Sequence, residues 1–439
     1  MSTTFAQLGV GPLLQKSLGD LQFVQPTEIQ QQVIPLLLGQ KGDIVALART
    51  GTGKTAAFGL PLLQLMDTET PSVQAVVLAP TRELGQQIYN DLISFSTYLP
   101  SVSVASICGG IPIKPQIERL KGTTHIVVAT PGRLIDLIKR GAINIKMCQY
   151  LVLDEADEMV TSLKEGLDDI IKELPKKRRT FLFSATMPGA VKQLVNNYMS
   201  KDVQILNVGM ETIGHQGIDH IYSVVEPIEK LEVLMHFLGS REGERGIIFC
   251  KTKAAVNKLA KNLAINKFSV GALHGSLAQP VRDRIMGQFR EGHIHILVAT
   301  DLAARGLDIK ETAYVVNYHL PEVRETYVHR SGRTARAGAK GTSLTILQKG
   351  EEQELSAFQE ALGIVFTPLP KVGEREMEEH NALLWAKKIF KTRPDQEISP
   401  AFRERIQTVF HHLTKEELIL KILTDHMGQH NSSTLKGGN

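Results

Sequence analysis

The sequence predicts two α/β domains in tandem, each with a parallel sheet covered by helices on both faces, followed by a smaller α-helical region. Short apolar runs that lack period-two alternation recur between helical stretches, as expected for strands buried on both faces. The runs fall into two groups, from IVALA to TFLFSAT and from GIIFC to GTSLTIL. A chain of 439 residues is also too long for one ordinary core.

The order of these runs gives the domain boundaries. Predicted strands lie at 44–48, 75–80, 125–130, 150–154 and 180–186, and then at 246–250, 295–301, 314–321 and 341–347. The pattern is lost in a glycine-containing stretch between the groups, which is typical of a linker. We therefore predict a first domain at 1–205, a linker at 206–218, a second domain at 219–369, a helical extension at 370–430 and a disordered tail at 431–439.

Composition limits the class of protein. The net charge of +4 is too small for a polybasic nucleic-acid binder, so nucleic-acid contacts must come from locally placed arginines. We find no signal-peptide pattern and no apolar run near the about 18 residues that span a bilayer, so we expect no membrane partner. The cysteines Cys108, Cys148 and Cys250 are isolated, so we expect a cytoplasmic protein without disulfides or a zinc site.

The stretch ALARTGTGKT, residues 46–55, lies between a predicted strand and a predicted helix at 54–66. Gly51 and Gly53 let the backbone approach a ligand closely, and the helix N-terminus attracts phosphate. Lys54 can reach the outer phosphates, and the Thr55 hydroxyl can ligate Mg²⁺. The pattern predicts a Walker A loop, with these nucleotide-binding residues: Arg49, Thr50, Gly51, Thr52, Gly53, Lys54 and Thr55.

A second group of polar residues ends the strand in QYLVLDEAD, residues 149–157. Asp154 would arrive beside the phosphate loop, because parallel strands present such residues at their carboxyl ends. There it can hold Mg²⁺, while Glu155 orients and deprotonates the water that attacks the γ-phosphate. Taken alone, an acidic cluster here could equally be a solvated helix start.

Three further motifs follow in order: SAT at 184–186, ATDLAARGLD at 299–308 and HRSGRTARAG at 329–338. With them, the chain resembles the DEAD-box ATP-dependent RNA helicases from about Phe5 to Leu369. The resemblance implies two RecA-like domains that close on ATP and single-stranded RNA. It also implies RNA-stimulated ATP hydrolysis coupled to local, non-processive unwinding of short duplexes or remodelling of RNA–protein complexes.

On the nucleotide side, the resemblance assigns roles to FVQPTEIQ, residues 23–30, which begins with Phe23. Gln30 would bond the adenine edge, Thr27 would support the phosphate loop, and Phe5 upstream would stack on the base. Asp308 would bond the ribose.

Three arginines, Arg330, Arg333 and Arg336, have the spacing of one face of a helix, and such a basic face is often merely solvated. The resemblance instead implies that Arg333 and Arg336 are arginine fingers that reach across the cleft. The planar, permanently charged guanidinium suits this role because it can bond two phosphate oxygens. It also implies that Asp157 pairs with Ser184 and Thr186, and that these residues and His329 couple domain closure to nucleic acid.

On the RNA side, small hydroxyls, glycine N–H groups and single arginines suit contacts to phosphate and ribose that do not read sequence. The residues implied are Pro80, Arg82, Gly110, Thr130, Gly132 and Arg133 in the first domain, and Gly275, Gln279, Arg282 and Thr300 in the second.

The chain departs from the family pattern at four positions. Gln22 replaces the usual glycine, which predicts a different entry turn, and Gly85 replaces the more frequent alanine, a minor change. Ser331 and Ala335 stand where isoleucine and glycine are commoner, but both are small.

The extension weakly resembles the helical dimerisation region of some bacterial cold-shock-type members. Its amphipathic pattern could form a homodimer or equally pack on the second domain; the apolar residues are Ile406, Val409, Phe410, Leu413, Leu418 and Ile422. The function also has alternatives: an ATP-gated RNA clamp that seldom turns over, and a DNA translocase, which the DEAD and adenine-reading motifs disfavour.

Overall fold

The computed structural model describes residues 3–39, 42–48, 51–208, 217–304, 312–335, 340–369, 382, 385–386, 389, 392 and 399–434. The chain forms two compact units. The first comprises Met1–Pro227 and Gly243–Thr367, and the second comprises Ile228–Glu242 and Pro368–Asn439. Among the described helices, none combines the length and apolar character that crossing a bilayer requires.

The first unit contains two seven-stranded parallel sheets, which confirms the predicted tandem α/β fold. The first sheet has the order β3-β4-β2-β5-β6-β1-β7. Its strands are β1 (Ile44–Leu47), β2 (Ala75–Leu78), β3 (Val104–Ile107), β4 (Ile126–Ala129), β5 (Tyr150–Leu153), β6 (Arg179–Ser184) and β7 (Gln204–Asn207). Its helices are α1 (Pro12–Asp20), α2 (Glu28–Gly39), α3 (Lys54–Leu65), α4 (Arg82–Phe95), α5 (Ile113–Leu120), α6 (Pro131–Lys139), α7 (Ala156–Ser162), α8 (Lys164–Glu173) and α9 (Gly189–Tyr198).

The second sheet repeats this topology, with the order β10-β11-β9-β12-β13-β8-β14. Its strands are β8 (Ile218–Val224), β9 (Gly246–Phe249), β10 (Val270–Leu273), β11 (Ile296–Ala299), β12 (Tyr314–Asn317), β13 (Gly341–Leu347) and β14 (Thr367–Pro368). Its helices within the first unit are α11 (Lys253–Ile265), α12 (Gln279–Arg290), α13 (Asp301–Ala304), α14 (Arg324–Ser331) and α15 (Glu352–Leu362). We call the halves of this unit that contain the two sheets domain 1 and domain 2.

Burial explains why the strands of domain 1 are continuously apolar. Ile44 and Ala46 of β1 belong to the hydrophobic core on one face of the sheet, whereas Val45 and Leu47 belong to the core on the other. Successive residues of a strand point to opposite faces, so a strand covered on both sides needs an apolar residue at every position.

The strand order separates two groups of loops at the carboxyl edge of the first sheet. Strands β5, β6 and β1 are neighbours, and the loops after them contain the phosphate loop, the DEAD residues and SAT. Strands β3, β4 and β2 are also neighbours, and the predicted RNA-facing residues of domain 1 follow them. The loops predicted to bind nucleotide and those predicted to bind RNA therefore occupy different halves of one edge.

The predicted linker at 206–218 overlaps structure at both ends, because β7 continues to Asn207 and β8 begins at Ile218. Residues 209–216 between them lie outside the described residues.

The second unit contains α10 (Lys230–Gly239), α16 (Pro400–Phe410) and α17 (Lys415–Thr434). Helix α10 lies within the predicted second domain, 219–369, but clusters with the C-terminal region instead. Ser399 caps α16 by accepting a hydrogen bond from the Phe402 N–H, and Pro400 occupies its first turn. Because α17 reaches Thr434, the disordered tail predicted from 431 is wrong for its first four residues.

The apolar residues predicted on the extension are not deeply buried. Ile406, Val409, Phe410 and Ile422 are exposed, and Leu413 and Leu418 are half-buried. The homodimer stays a prediction.

Gln22 adopts left-handed backbone, the conformation that glycine takes most easily. Its φ is +60°, and it follows the end of α1, where its N–H donates to the Gly19 carbonyl. The entry turn therefore has a left-handed residue at this position, and its difference from the family turn stays a prediction.

We expect Gln22→Gly to raise the free energy of unfolding by about 0.5–1 kcal/mol. The strain that left-handed backbone imposes on glutamine exceeds the entropic cost of fixing a more flexible glycine on folding. Denaturant titration measures this change. In the matched control, Gln32→Gly inside α2, stability should fall by about 1 kcal/mol. Destabilisation by both substitutions would show that Gln22 is not strained.

Candidate active site

The phosphate loop is fastened to the N-terminal segment of domain 1 by Gln30, which is 1% exposed. Its Nε2 donates to the Gly53 carbonyl at 3.1 Å, and its Oε1 accepts from the Thr27 N–H at 2.9 Å. Gly53 has φ +91°, and a Cβ there would lie 2.4 Å from the Gln30 Nε2, so only glycine fits. The Gln30 amide keeps one N–H and one lone pair for a ligand.

Lys54, the first residue of α3, lies beneath this loop and is 7% exposed. Its Nζ donates to the Ala48 carbonyl at 3.3 Å and is 3.9 Å from Asp154 Oδ1. Burial raises the pKa of Asp154 to about 6, although the Lys54 charge acts in the opposite direction. A divalent cation beside Asp154 would favour its ionised form.

Thr55 and Asp154 fit the predicted Mg²⁺ ligands by their chemistry, because a hydroxyl and a carboxylate are oxygen donors of the kind that Mg²⁺ prefers. In the part of the chain that the structure describes, no group of three or more His, Cys, Asp and Glu could hold a metal. Two protein ligands are typical of Mg²⁺ sites in which phosphates and waters supply the remaining oxygens.

Glu155 combines burial with an unusual backbone. It is 6% exposed and precedes α7, with φ +51° and ψ +52°, and its N–H donates to Asp154 Oδ1 at 3.0 Å. Left-handed backbone is uncommon for residues other than glycine and often marks functional sites.

Asp157 connects the two domains through one carboxylate oxygen. Its Oδ2 accepts from the Thr186 hydroxyl at 2.8 Å and the Thr186 N–H at 3.1 Å, and lies 3.3 Å from His329 Nε2. The Ser184 hydroxyl accepts from the Asp157 N–H at 3.3 Å. The structure therefore brings together all four residues predicted to couple closure to nucleic acid.

This contact is electrostatically favourable. Burial would raise the pKa of Asp157, but the His329 charge and the hydrogen bonds from His329 and Thr186 outweigh it and hold that pKa well below its usual range. Burial would lower the pKa of His329, and the nearby Arg333 charge acts in the same direction. The negative charges of Asp157 and Glu155 outweigh both effects, so the pKa of His329 is raised. The structure thus favours a charged His329 beside an ionised Asp157.

Arg330 and Arg333 do not share a helix face, so the interpretation of a solvated basic helix face is wrong for these two arginines. Helix α14 ends at Ser331, and Arg333 lies beyond it, 4% exposed. Arg330 is inside the helix and buried, with both atoms of its fork on the Asp301 carboxylate at 2.6 and 2.8 Å. Arg330 therefore holds domain 2 together rather than forming a solvated surface.

Four predicted nucleotide residues lie outside the described residues: Arg49, Thr50, Asp308 and Arg336. Gly51 is exposed and Thr52 half-buried. Phe5 is 6% exposed and belongs to the core of domain 1, and Phe23 packs edge-on against Phe95 with ring centroids 5.9 Å apart. Stacking of Phe5 on a base stays a prediction.

The predicted RNA-facing loops of domain 1 contact one another. The Thr130 hydroxyl accepts from the Gly109 N–H at 3.2 Å, and Arg82 lies so close to Gly110 that a Cβ there would overlap its guanidinium. Gly132 is exposed and faces open space, and Pro80 is half-buried.

Gln116 is a residue that the sequence motifs missed. It is 5% exposed, donates from Nε2 to the Cys108 carbonyl at 2.8 Å, and accepts at Oε1 from Arg133 Nη1 at 2.6 Å. The available signal was a lone glutamine on the inward side of an amphipathic helix, a pattern too common to single out.

Gly85 is not the minor change that the sequence suggested. A Cβ at this position would lie 2.7 Å from Cys108 Sγ. The glycine therefore makes room for the side chain that begins the Gly109–Gly110 loop.

The predicted RNA residues of domain 2 divide into two groups. Gly275 is exposed with open space around it, Thr300 is half-buried, and Gln279 donates from Nε2 to Asp283 at 2.9 Å. Arg282 is 6% exposed and donates to the Ala303 carbonyl at 2.6 Å.

Arg282 also forms an ion pair with Glu83 of domain 1, with its Nε 3.0 Å from Oε1. The pair does not have hydrogen-bond alignment, since neither atom finds such a partner among the described residues. Arg282 therefore ties the domains to each other, and its contact with RNA stays a prediction. Glu83 was not singled out from the sequence, because its partner lies far along the chain.

Comparison with known proteins agrees with this geometry. Family models match at residues 27–194 (DEAD/DEAH box helicase), 229–338 (helicase conserved C-terminal domain) and 377–431 (probable ATP-dependent RNA helicase, helical domain). The ATP-dependent RNA helicase CshA of Limosilactobacillus reuteri is 39% identical over 366 residues, 83% of this chain and 73% of the relative. The CshA of Geobacillus kaustophilus is 39% identical over 354 residues, 80% of this chain and 75% of the relative.

Solved structures are similar as well. S. cerevisiae Dbp5 bound to RNA and ADP BeF3 superimposes with a TM-score of 0.78 at 31% identity, covering 89% of this chain and 100% of that one. Mss116p bound to ssRNA and AMP-PNP gives a TM-score of 0.77 at 27% identity, covering 88% of this chain and 82% of that one.

Proposed function

Because this chain belongs to the DEAD-box family of ATP-dependent RNA helicases, we propose that it couples RNA-stimulated ATP hydrolysis to local, non-processive unwinding of short RNA duplexes or remodelling of RNA–protein complexes. The contact of Asp157 with both Thr186 and His329 is the main support. Asp157 Oδ2 accepts a hydrogen bond from Thr186 of domain 1 and also contacts His329 of domain 2, so one oxygen joins the DEAD motif to both domains. Closure of the domains and organisation of the catalytic loop are therefore one event.

The nucleotide would lie along the carboxyl ends of β1, β5 and β6. Gln30 would bond the adenine edge and Lys54 the outer phosphates, while Asp308 would bond the ribose. Thr55 and Asp154 would hold Mg²⁺, which neutralises charge on the phosphates when bound. Glu155 would take the proton of the attacking water.

Domain 2 would complete the active site. Arg333 and Arg336 would donate to phosphate oxygens as charge builds on them during hydrolysis. Neither arginine belongs to the domain that contains Lys54 and Glu155, so an open molecule would hydrolyse ATP slowly. RNA bound to both domains would favour the closed state by its differential affinity.

RNA would cross the loops that follow β2, β3 and β4 of domain 1 and those after β10 and β11 of domain 2. Arg82, Arg133 and the exposed glycines would contact phosphate and ribose, which gives salt-dependent binding without sequence preference. One strand held in this way, and bent on closure, would leave its duplex partner.

The deciding experiment is an ATPase titration with RNA and DNA oligomers of equal length, run beside a duplex-separation assay. We expect RNA to stimulate hydrolysis strongly, DNA to stimulate it weakly, and short RNA duplexes to separate only with ATP. Hydrolysis that does not respond to RNA would contradict the proposal. Tight ATP-dependent RNA binding without duplex separation or turnover would indicate a clamp instead.

The pair of His329 and Asp157 predicts a pH dependence of closure. The pKa of His329 is raised above its usual value of about 6.5, so its charged pairing is fully present below that pH and is lost as pH rises through the folded value. Glu155 favours and Arg333 opposes the charge, and Asp157 stays ionised throughout.

We therefore expect RNA affinity, measured with a non-hydrolysable ATP analogue, to fall by about three- to tenfold between pH 6.5 and pH 9. His329→Gln should bind RNA more weakly at pH 6.5 and lose most of this dependence. Equal pH profiles for the two proteins would exclude His329 as the group responsible.

A further inference from the structure

Gln116 is the one buried residue of α5, the helix that follows the Gly109–Gly110 loop. A buried amide is costly unless its polar groups are hydrogen-bonded. Both are bonded here, the Nε2 to the Cys108 carbonyl at 2.8 Å and the Oε1 to Arg133 Nη1 at 2.6 Å. The side chain therefore spans two loops that the sequence motifs treat separately.

These loops follow neighbouring strands, since Cys108 comes directly after β3 and Arg133 lies in the first turn of α6, after β4. Two further hydrogen bonds join them. Arg133 Nη2 donates to the Ile111 carbonyl at 2.9 Å, and the Gly109 N–H donates to the Thr130 hydroxyl at 3.2 Å. Gln116 supplies the buried part of this connection.

The connection fixes the Arg133 guanidinium from the protein side. Two of its five N–H groups are used on Gln116 and Ile111, which leaves three for a ligand. Arg133 is half-buried rather than fully covered. A guanidinium already held in one orientation loses less side-chain entropy when it binds phosphate.

We propose that Gln116 is a positioning residue for RNA: it sets the Arg133 fork and the Cys108–Ile111 loop so that both meet the backbone of one bound strand. This role rests on the proposed function. Gln116 itself does not touch RNA, and it acts through Arg133.

The test compares Gln116→Met, which keeps the length of the side chain and removes both hydrogen bonds, with the unsubstituted full chain. We expect the RNA concentration for half-maximal ATPase to rise about tenfold. The rate at saturating RNA and the affinity for ATP should stay within about twofold, because the nucleotide loops follow other strands. A general loss of folding would instead also lower the rate at saturating RNA and the affinity for ATP.

Gln74 provides a matched control in the same domain. It is 2% exposed and also ties a loop, accepting from the Asp67 N–H at 2.9 Å and donating to the Asp67 carbonyl at 2.6 Å. It lies at the amino-terminal end of β2, whereas the proposed RNA loops follow the carboxyl-terminal ends of the strands. Gln74→Met should lower stability as Gln116→Met does and leave RNA affinity unchanged.

A double-mutant cycle with Arg133→Ala separates positioning from packing. The salt dependence of binding to single-stranded oligo-U reports phosphate contacts, each worth about 0.7 in the slope of log K against log salt. Gln116→Met and Arg133→Ala should each reduce the slope by about that amount, and the double variant should lose no more. Additive losses, or an unchanged slope in Gln116→Met, would overturn the proposal.

Failure of this inference is distinguishable from failure of the proposed function. If the unsubstituted chain shows no RNA stimulation and no salt-dependent binding, the RNA function itself is wrong. If those properties hold and Gln116→Met matches the unsubstituted chain, only the role of Gln116 is wrong.

Discussion

Replacement of Arg333 by alanine is expected to slow RNA-stimulated ATP hydrolysis by about 10³-fold or more, the range seen when an arginine finger is removed. Arg333 lies just past α14, so its backbone is fixed in domain 2 by the same segment that brings His329 to Asp157. The backbone at Arg333 is also held by the Thr312 hydroxyl, which donates to the Arg333 carbonyl. The loss should fall on the rate at saturating ATP and RNA, because the charge acts in the transition state.

Two comparisons make the Arg333 result specific. Arg333→Lys should recover little of the rate, because an ammonium cannot bond two phosphate oxygens as a planar fork does. Arg330→Ala should instead lower the thermal midpoint, since the buried Arg330 side chain bonds Asp301, Asn317 and the His319 carbonyl of domain 2. A normal rate in Arg333→Ala would remove the residue from the mechanism.

Glu155→Gln is expected to slow hydrolysis by at least about 10²-fold while ATP and RNA still bind, because a general base contributes about that much or more. Glutamine matches the shape of glutamate, so the left-handed backbone at this position need not change. The measurement is single-turnover hydrolysis with saturating RNA, beside equilibrium binding of a fluorescent ATP analogue.

Glu158 offers the matched control for this substitution. It directly follows the DEAD motif, three residues after Glu155, and is also 6% exposed. Glu158→Gln removes an acidic charge of similar burial and should leave hydrolysis within a few-fold of normal. If both variants lose activity equally, the effect belongs to the charge of the motif and not to Glu155.

The sequence predicted those strands of the fold that are buried on both faces of the sheet. The apolar runs at β1, β2, β4, β5 and β6 were recognised because both faces of these strands are covered. The strands β3, β10 and β7 were missed for different reasons: VASI and VGAL include small residues that weaken the pattern, and QILN of β7 is largely exposed at the edge of the sheet.

The candidate site was predictable where chemistry demands a fixed local spacing, as in GTGKT and DEAD. It was not predictable where a role depends on a partner far along the chain. Gln116 meets Arg133 17 residues later, and Glu83 meets Arg282 of the other domain. The wrong prediction of a solvated face for Arg330 has the same origin. Helical spacing does not reveal that α14 ends at Ser331 or that Arg330 forms an ion pair with Asp301.

The departures from the family pattern also needed backbone angles to interpret. Gln22 and Ala335 stand where glycine is commoner and have φ of +60° and +55°, so both residues bear the strain of left-handed backbone. Gly85 replaces alanine because Cys108 occupies the space.

The order of strands in the first sheet has a pharmacological consequence. Four strand spacings separate β4 from β1, which is about 19 Å at the usual distance between strands. A small inhibitor bound beside Gln30 would therefore not reach the loops after β3 and β4 that we propose to bind RNA. Such a compound would compete with ATP without displacing RNA directly, and it would weaken RNA binding only through the lost coupling between the two ligands.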